Sequence, residues 1–129
     1  MTQELTRILY VEDDPDIQAI AMMVLETIHG FVLEACSSGS EALEKAVPFQ
    51  PDLILLDVMM PGMDGPETLK QLRTFPALAD TPVVFMTAKV QPQEVQGYLN
   101  LGALGVIAKP FDPMTLAEQL RAIWRMRFN

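Results

Sequence analysis

Leu53-Ile54-Leu55-Leu56-Asp57, followed by Val58-Met59-Met60-Pro61-Gly62-Met63-Asp64-Gly65-Pro66, is the stretch whose reading decides the fold. Four apolar residues in a row, with no polar alternation, describe a strand buried on both faces, as in parallel sheets covered by helices on either side. The run stops at a carboxylate. A segment rich in turn residues then leads to Pro66, which fits the first position of a helix running to about Thr74. In an open α/β sheet, ligands bind outside the carboxyl ends of the strands, so Asp57 stands where a site would be.

The same punctuation recurs on both sides of this stretch. Arg7-Ile8-Leu9-Tyr10-Val11 stops at Glu12-Asp13-Asp14, Val83-Val84-Phe85-Met86 stops at Thr87-Ala88, and Val106-Ile107-Ala108 stops at Lys109-Pro110. A further strand is predicted over about Phe31 to Ala35. Between the strands lie helical patterns. The first, about Pro15 to Ile28, is predicted to bury Ile17, Ile20, Ala21, Val24, Leu25 and Ile28, with His29-Gly30 as its C-terminal cap. A short helix follows through Ala42, Leu43 and Ala46, closed by Pro48 and Pro51. The helix over about Pro92 to Leu101 contains Gly97 and few strong helix formers, so it is expected to be among the less stable elements. Asp112-Pro113 is predicted to open a last helix to about Met126. The alternation predicts one α/β domain over residues 1–129, a doubly wound five-stranded parallel sheet with helices on both faces.

Composition agrees with that class. Of the 129 residues half are hydrophobic and a fifth charged, the balance of a packed globular protein. Seventeen acids against nine bases give a net charge of -8, which opposes nonspecific attraction to nucleic acid or to anionic membranes. No apolar stretch reaches the roughly 20 residues of a membrane helix. Cys36 is the only cysteine, so no internal disulfide can form; it reads as a small buried residue. The expected location is the reducing cytoplasm.

The strand-end residues share one chemistry. Glu12 and Asp13 on one strand end, with Asp57 on a neighbouring one, supply the oxygen ligands a divalent ion such as magnesium prefers beside a phosphate. Negative charge ahead of Pro15 also suits a helix N-terminus, and Asp14 is placed as the N-cap. Capping does not explain Asp57 or Lys109. Asp57 is then either a third metal ligand or a nucleophile forming an acyl phosphate, and the two roles are compatible. Lys109 would be a point charge on phosphoryl oxygens and the Thr87 hydroxyl a hydrogen-bond donor to one of them.

Val-Glu-Asp-Asp-Pro at 11–15, Leu-Asp-Val-Met-Met-Pro-Gly-Met-Asp-Gly at 56–65, Met-Thr-Ala at 86–88 and Lys-Pro-Phe at 109–111 together resemble a response-regulator receiver domain across essentially the whole chain. The resemblance implies a flavodoxin-like strand order 2-1-3-4-5. It implies a domain of a two-component or phosphorelay system, in which Asp57 accepts a phosphoryl group from phosphohistidine in a magnesium-dependent step. The partner would be a histidine kinase or a histidine phosphotransfer protein. Asp13 would ligate the metal directly and Glu12 through water, with the Met59 backbone carbonyl completing the protein ligands; manganese or another divalent ion could substitute. Thr87 and Lys109 would contact the phosphoryl group, and the Lys109-Pro110 bond would be cis. Such a domain is not an enzyme toward external substrates; it catalyses only its own phosphorylation and dephosphorylation.

Three positions depart from the commoner pattern. Val106 stands where many receivers carry Tyr or Phe, so an aromatic rotamer switch there is impossible, and any response is expected through Thr87, the loop after it and the Gly97 helix. Met59 offers no side-chain hydrogen bond to an attacking water, whereas Lys89 could shield or hold it, so a long-lived phosphoryl group is expected. Glu12 replaces the commoner Asp and lengthens the reach to metal.

On the first helix Ala19, Met22, Met23 and Glu26 are predicted to face outward, and adaptable methionines near the acceptor edge suit docking of a donor helix. The last helix puts Leu116, Leu120 and Ile123 on one face, with Trp124 and Phe128 at its flank and Arg121 and Arg125 outside. That end reads either as core cover or as a partner or dimer surface. His29, in a last helical turn, reads as a favourable helix-end charge. No DNA-binding module is expected after residue 129, so the expected output is a protein contact, from a single-domain regulator or one domain of a longer chain. A haloacid-dehalogenase-type phosphatase would need a second acid where Met59 stands. A flavodoxin-like cofactor protein would need a Ser/Thr/Gly-rich loop where residues 12–16 carry four acids. The remaining alternative is a pseudo-receiver, an interaction domain that keeps the fold without phosphorylation.

Overall fold

The computed structural model describes residues 3–128, except the side chain of Phe128, which with Met1, Thr2 and Asn129 lies outside the described residues. Five strands form one parallel sheet: β1 (Arg7–Val11), β2 (Val32–Cys36), β3 (Leu53–Asp57), β4 (Val83–Thr87) and β5 (Gly105–Ala108), in the spatial order β2-β1-β3-β4-β5. Five α-helices connect or follow them: α1 (Pro15–Met22), α2 (Gly39–Phe49), α3 (Gly65–Leu72), α4 (Pro92–Asn100) and α5 (Leu116–Arg125). No helix among the described residues is long and apolar enough to cross a membrane.

Alternation along the strands divides the core into two layers. Ile8, Tyr10, Leu53, Leu55, Val84, Met86 and Ile107 face Ala21 of α1 and Leu116, Ala117, Leu120 and Trp124 of α5. Leu9, Val11, Ile54, Leu56, Val83 and Phe85 face Ala42 and Ala46 of α2 and Leu69 and Leu72 of α3. All five residues of β3 are buried, as a central strand covered on both sides requires. Trp124, which sequence left unassigned, belongs to the core, and its indole N–H donates to the Gln3 carbonyl at 2.8 Å.

Four local expectations are corrected. The first helix leaves α geometry after Met22 and continues as a π turn over Met23–Ile28, marked by the His29 N–H donating to the Val24 carbonyl at 3.1 Å. The wider turn breaks the 3.6-residue periodicity and leaves Ile28 exposed; Ile20 is exposed too, at the rim of a groove against the loop after β5. Pro48 lies inside the last turn of α2, where its missing N–H costs a single bond, and the helix ends at Gln50 in the left-handed conformation (φ 56°). The last helix begins at Leu116, because the Asp112 carboxylate and carbonyl first hold a turn through Met114, Thr115 and Leu116 N–H groups. A 3₁₀ turn at Pro76–Leu78, unmarked in the sequence reading, joins α3 to β4.

Candidate functional site at the carboxyl edge of the sheet

The four strand ends deliver their residues to one place. Glu12 leaves β1 with its N–H donating to the Cys36 carbonyl at 3.0 Å, and the Gln18 amide bridges the Glu12 and Cys36 carbonyls at 3.1 Å each. Asp57 closes β3. The loop after it returns at once, with the Val58 N–H donating to the Met86 carbonyl (3.0 Å) and the Gly65 N–H to the Val58 carbonyl (2.8 Å). A β-carbon on Gly65 would stand 2.6 Å from the Asp57 carbonyl oxygen, so glycine is what lets α3 begin against the end of β3. The Lys109 N–H donates to the Thr87 carbonyl at 2.9 Å, tying the loop after β5 to β4, and the Lys109-Pro110 bond is cis.

Glu12, Asp13 and Asp57 each bring a carboxylate oxygen within 4.8 Å of the others. Glu12 and Asp57 are 1% and 2% exposed; Asp13 is the more open. The Lys109 ammonium sits between the buried pair, 3.0 Å from Glu12 Oε1 and 3.2 Å from Asp57 Oδ1. Burial first, and the Glu12 carboxylate next, push the Asp57 carboxyl up to about 7, with Lys109 pulling the other way. At Lys109 burial disfavours the charge, but the two carboxylates outweigh it and leave the ammonium above its ordinary pKa. Asp57 is therefore a carboxylate short of positive charge. A cation beside it would complete its ionisation.

Thr87 is buried, and its hydroxyl oxygen accepts from the Lys89 N–H at 3.0 Å, leaving its own hydrogen for an acceptor in the site. The Met59 side chain is 67% exposed, and among the described residues its carbonyl accepts no hydrogen bond of the loops. Asp14 is the N-cap of α1, accepting from the Asp16 and Ile17 N–H groups at 2.9 and 3.2 Å. The donor set is oxygen only and anionic, and it suits a hard divalent cation such as magnesium. Two contributors were not singled out as site residues in the chain, although Gly65 closes the motif at 56–65. Gln18 acts through carbonyls on two strands, and Gly65 through a close approach that folding alone creates.

Cys36 is buried, and burial pushes its thiol up to about 12, so it is an inert packing residue. His29 caps the π turn, with its Nδ1 3.4 Å from the Arg121 guanidinium; that guanidinium also stacks over Phe31 at 4.8 Å.

Comparison with known proteins places this arrangement. The family model described as the response regulator receiver domain matches residues 8–121. DNA-binding response regulator MtrA of Mycolicibacterium smegmatis is 39% identical over 123 residues, covering 95% of this chain and 51% of that protein. Transcriptional regulatory protein ResD of Bacillus subtilis is 37% identical over 121 residues, covering 93% and 48%. The chain thus spans about half the length of these curated relatives. The structure of chemotaxis response regulator CheY4 of Vibrio cholerae superposes with a TM-score of 0.85 at 33% identity, covering 92% of this chain and 98% of that one.

Proposed function

Since the chain belongs to the response regulator receiver domain family, we propose that it accepts a phosphoryl group on Asp57 from a phosphohistidine, in the cytoplasm, as one step of a two-component or phosphorelay system. The observation that carries the reading is the cluster itself: three carboxylate oxygens within 4.8 Å of one another, with the Lys109 ammonium bridging the two buried acids. Structure without a phosphoryl role would leave two buried carboxylates crowded together at a cost that apolar residues avoid.

Asp13 and Asp57, the Met59 carbonyl, and Glu12 through water would hold the magnesium ion. When bound, that ion neutralises charge on the carboxylates and on the phosphoryl oxygens. An Asp57 oxygen attacks phosphorus as the bond to the histidine nitrogen breaks, and the electron pair leaves with the imidazole. Lys109 turns its ammonium to one phosphoryl oxygen, and the Thr87 hydroxyl donates to another. Little covalent chemistry is asked of the protein, which contributes position and charge. Water then hydrolyses the acyl phosphate, and Met59 gives that water no hydrogen bond, which favours a long-lived phosphoryl group.

The donor docks on α1 and the loop after β5. A small groove of about 130 Å³ there is lined by Ile17, Ile20, Lys109, Pro110, Phe111 and Pro113, with exposed Met23 further along the same helix. An apolar groove beside the acceptor fits a helix carrying the phosphohistidine.

Intact mass after incubation with a small phosphodonor, with and without magnesium, on wild type and Asp57→Ala tests the reading. One magnesium-dependent phosphoryl addition, lost in the variant, is expected. No addition to folded, magnesium-binding wild type overturns it and leaves a pseudo-receiver.

A further inference from the structure

At the end of the sheet opposite Asp57, where β1 and β2 begin, the π turn and α5 end against a cavity of about 800 Å³. Small-molecule sites commonly measure about 300–1,000 Å³. The lining includes Glu4, His29, Phe31, Arg121, Trp124 and Arg125. Its charges run against the composition of the chain. Acids outnumber bases seventeen to nine, yet among the described residues neither Arg121 nor Arg125 forms an ion pair. Glu4, the one acid of the lining, is exposed and pairs with neither of them.

Arg121 is held in place. Its guanidinium lies 4.8 Å over the Phe31 ring, and its Nη1 is 3.4 Å from His29 Nδ1. A guanidinium can only donate, so His29 Nδ1 accepts and the neutral ring carries its hydrogen on Nε2. Among the described residues that N–H has no acceptor, and neither do the other N–H groups of Arg121 or the guanidinium of Arg125. Arg121 and Arg125 stand four residues apart and so share a face of α5. Positive charge is favourable in the last turn of a helix, which accounts for Arg125 and His29. It does not account for Arg121, a turn earlier and fixed at the wall of a cavity. The backbone carbonyls beside it are engaged already: Val24, Leu25 and Glu26 accept from the His29, Phe31 and Gly30 N–H groups at 3.0–3.1 Å. The π turn that brings His29 to Arg121 is itself a feature common at functional sites.

We infer that this cavity is a second binding site, for a small organic anion bearing phosphate or carboxylate groups, held by Arg121 and Arg125 with His29 as a further donor. The planar fork of a guanidinium matches either kind of oxyanion with paired N–H···O bonds. Fixing Arg121 on Phe31 and His29 in advance lowers the cost of ordering it around a ligand. The site lies away from the carboxylate cluster and does not depend on the phosphoacceptor reading of Asp57.

Titration calorimetry of the metal-free protein with pyrophosphate and with citrate, at ionic strength matched with chloride, tests this. Saturable binding of one anion per chain is expected for at least one of them, with Kd of about 1 mM or tighter. The tighter of the two tells a phosphate site from a carboxylate site. Arg121→Gln and Arg125→Gln are each expected to weaken binding about tenfold. Arg125 is exposed and makes no contact that folding needs, so its variant carries the test even where Arg121→Gln loosens the packing on Phe31. Absence of saturable binding by both anions overturns the inference. Equal affinity in wild type and Arg125→Gln, with a thermal melt showing the variant folded, overturns it as well, because the anion then sits elsewhere.

Discussion

Asp57 is held in a state the isolated residue does not prefer. Its raised pKa means that the folded protein binds a proton at this carboxyl more tightly than the unfolded chain does. Stability from this group is therefore fully present below the unfolded value near 4 and is lost as the pH rises through about 7. Asp57→Asn in chelator is accordingly expected to be more stable than wild type at pH 8, on the order of 2–4 kcal/mol, with the gain shrinking toward pH 4. Denaturant unfolding across that range checks the sign, and magnesium should narrow the gain by stabilising wild type alone. Gly65 is the second residue whose environment decides its identity. Gly65→Ala drives a β-carbon to 2.6 Å from the Asp57 carbonyl oxygen and 2.8 Å from the Val58 α-carbon, backbone atoms that cannot yield cheaply. A loss of about 2–4 kcal/mol and slower labelling by a small phosphodonor are expected, read by denaturant unfolding and by mass.

Among the elements α4 is the least anchored: none of its residues is buried, and Tyr98 meets Phe85 at 5.4 Å between ring centroids. The weakness expected from its composition is thus matched by its packing. Gly97 has no atom within 4 Å of where a β-carbon would stand, so Gly97→Ala should stabilise the protein by about 0.5–1 kcal/mol through helix propensity alone. A thermal melt reads that gain, and native-state hydrogen exchange should find α4 opening before β3 in the parent protein. The first helix teaches the opposite lesson. Its apolar periodicity runs unbroken from Ile17 to Ile28, yet a π turn from Met23 redirects the last residues, leaving Ile28 in solvent while Val24 and Leu25 stay buried. No residue in that stretch marks the change. Packing of Leu25 and Phe31 in the layer shared with Trp124 accompanies it.

At the scale of the whole molecule, the proposed acceptor site lies at the start of α1 and the proposed docking surface along its flank. Replacing Met22 and Met23 by Lys should slow transfer from the cognate phosphohistidine donor at least tenfold and leave labelling by a small phosphodonor unchanged, since neither side chain belongs to the carboxylate cluster. Parallel rate measurements with both donors decide it, and equal slowing by both would remove the docking surface. The chain by itself determined the five strands, their parallel packing and the convergence of Glu12, Asp13, Asp57, Thr87 and Lys109, because burial on both faces forces continuous apolar runs and each run ends on a chemically distinct residue. It could not determine which carboxylate Lys109 would bridge, that Gln18 would tie Glu12 to β2, that Trp124 would close the core, or that the Tyr10 hydroxyl would be left unpaired. Those features depend on atoms brought together from distant parts of the chain, and distances of about 3 Å between them exist only once every strand has taken its register.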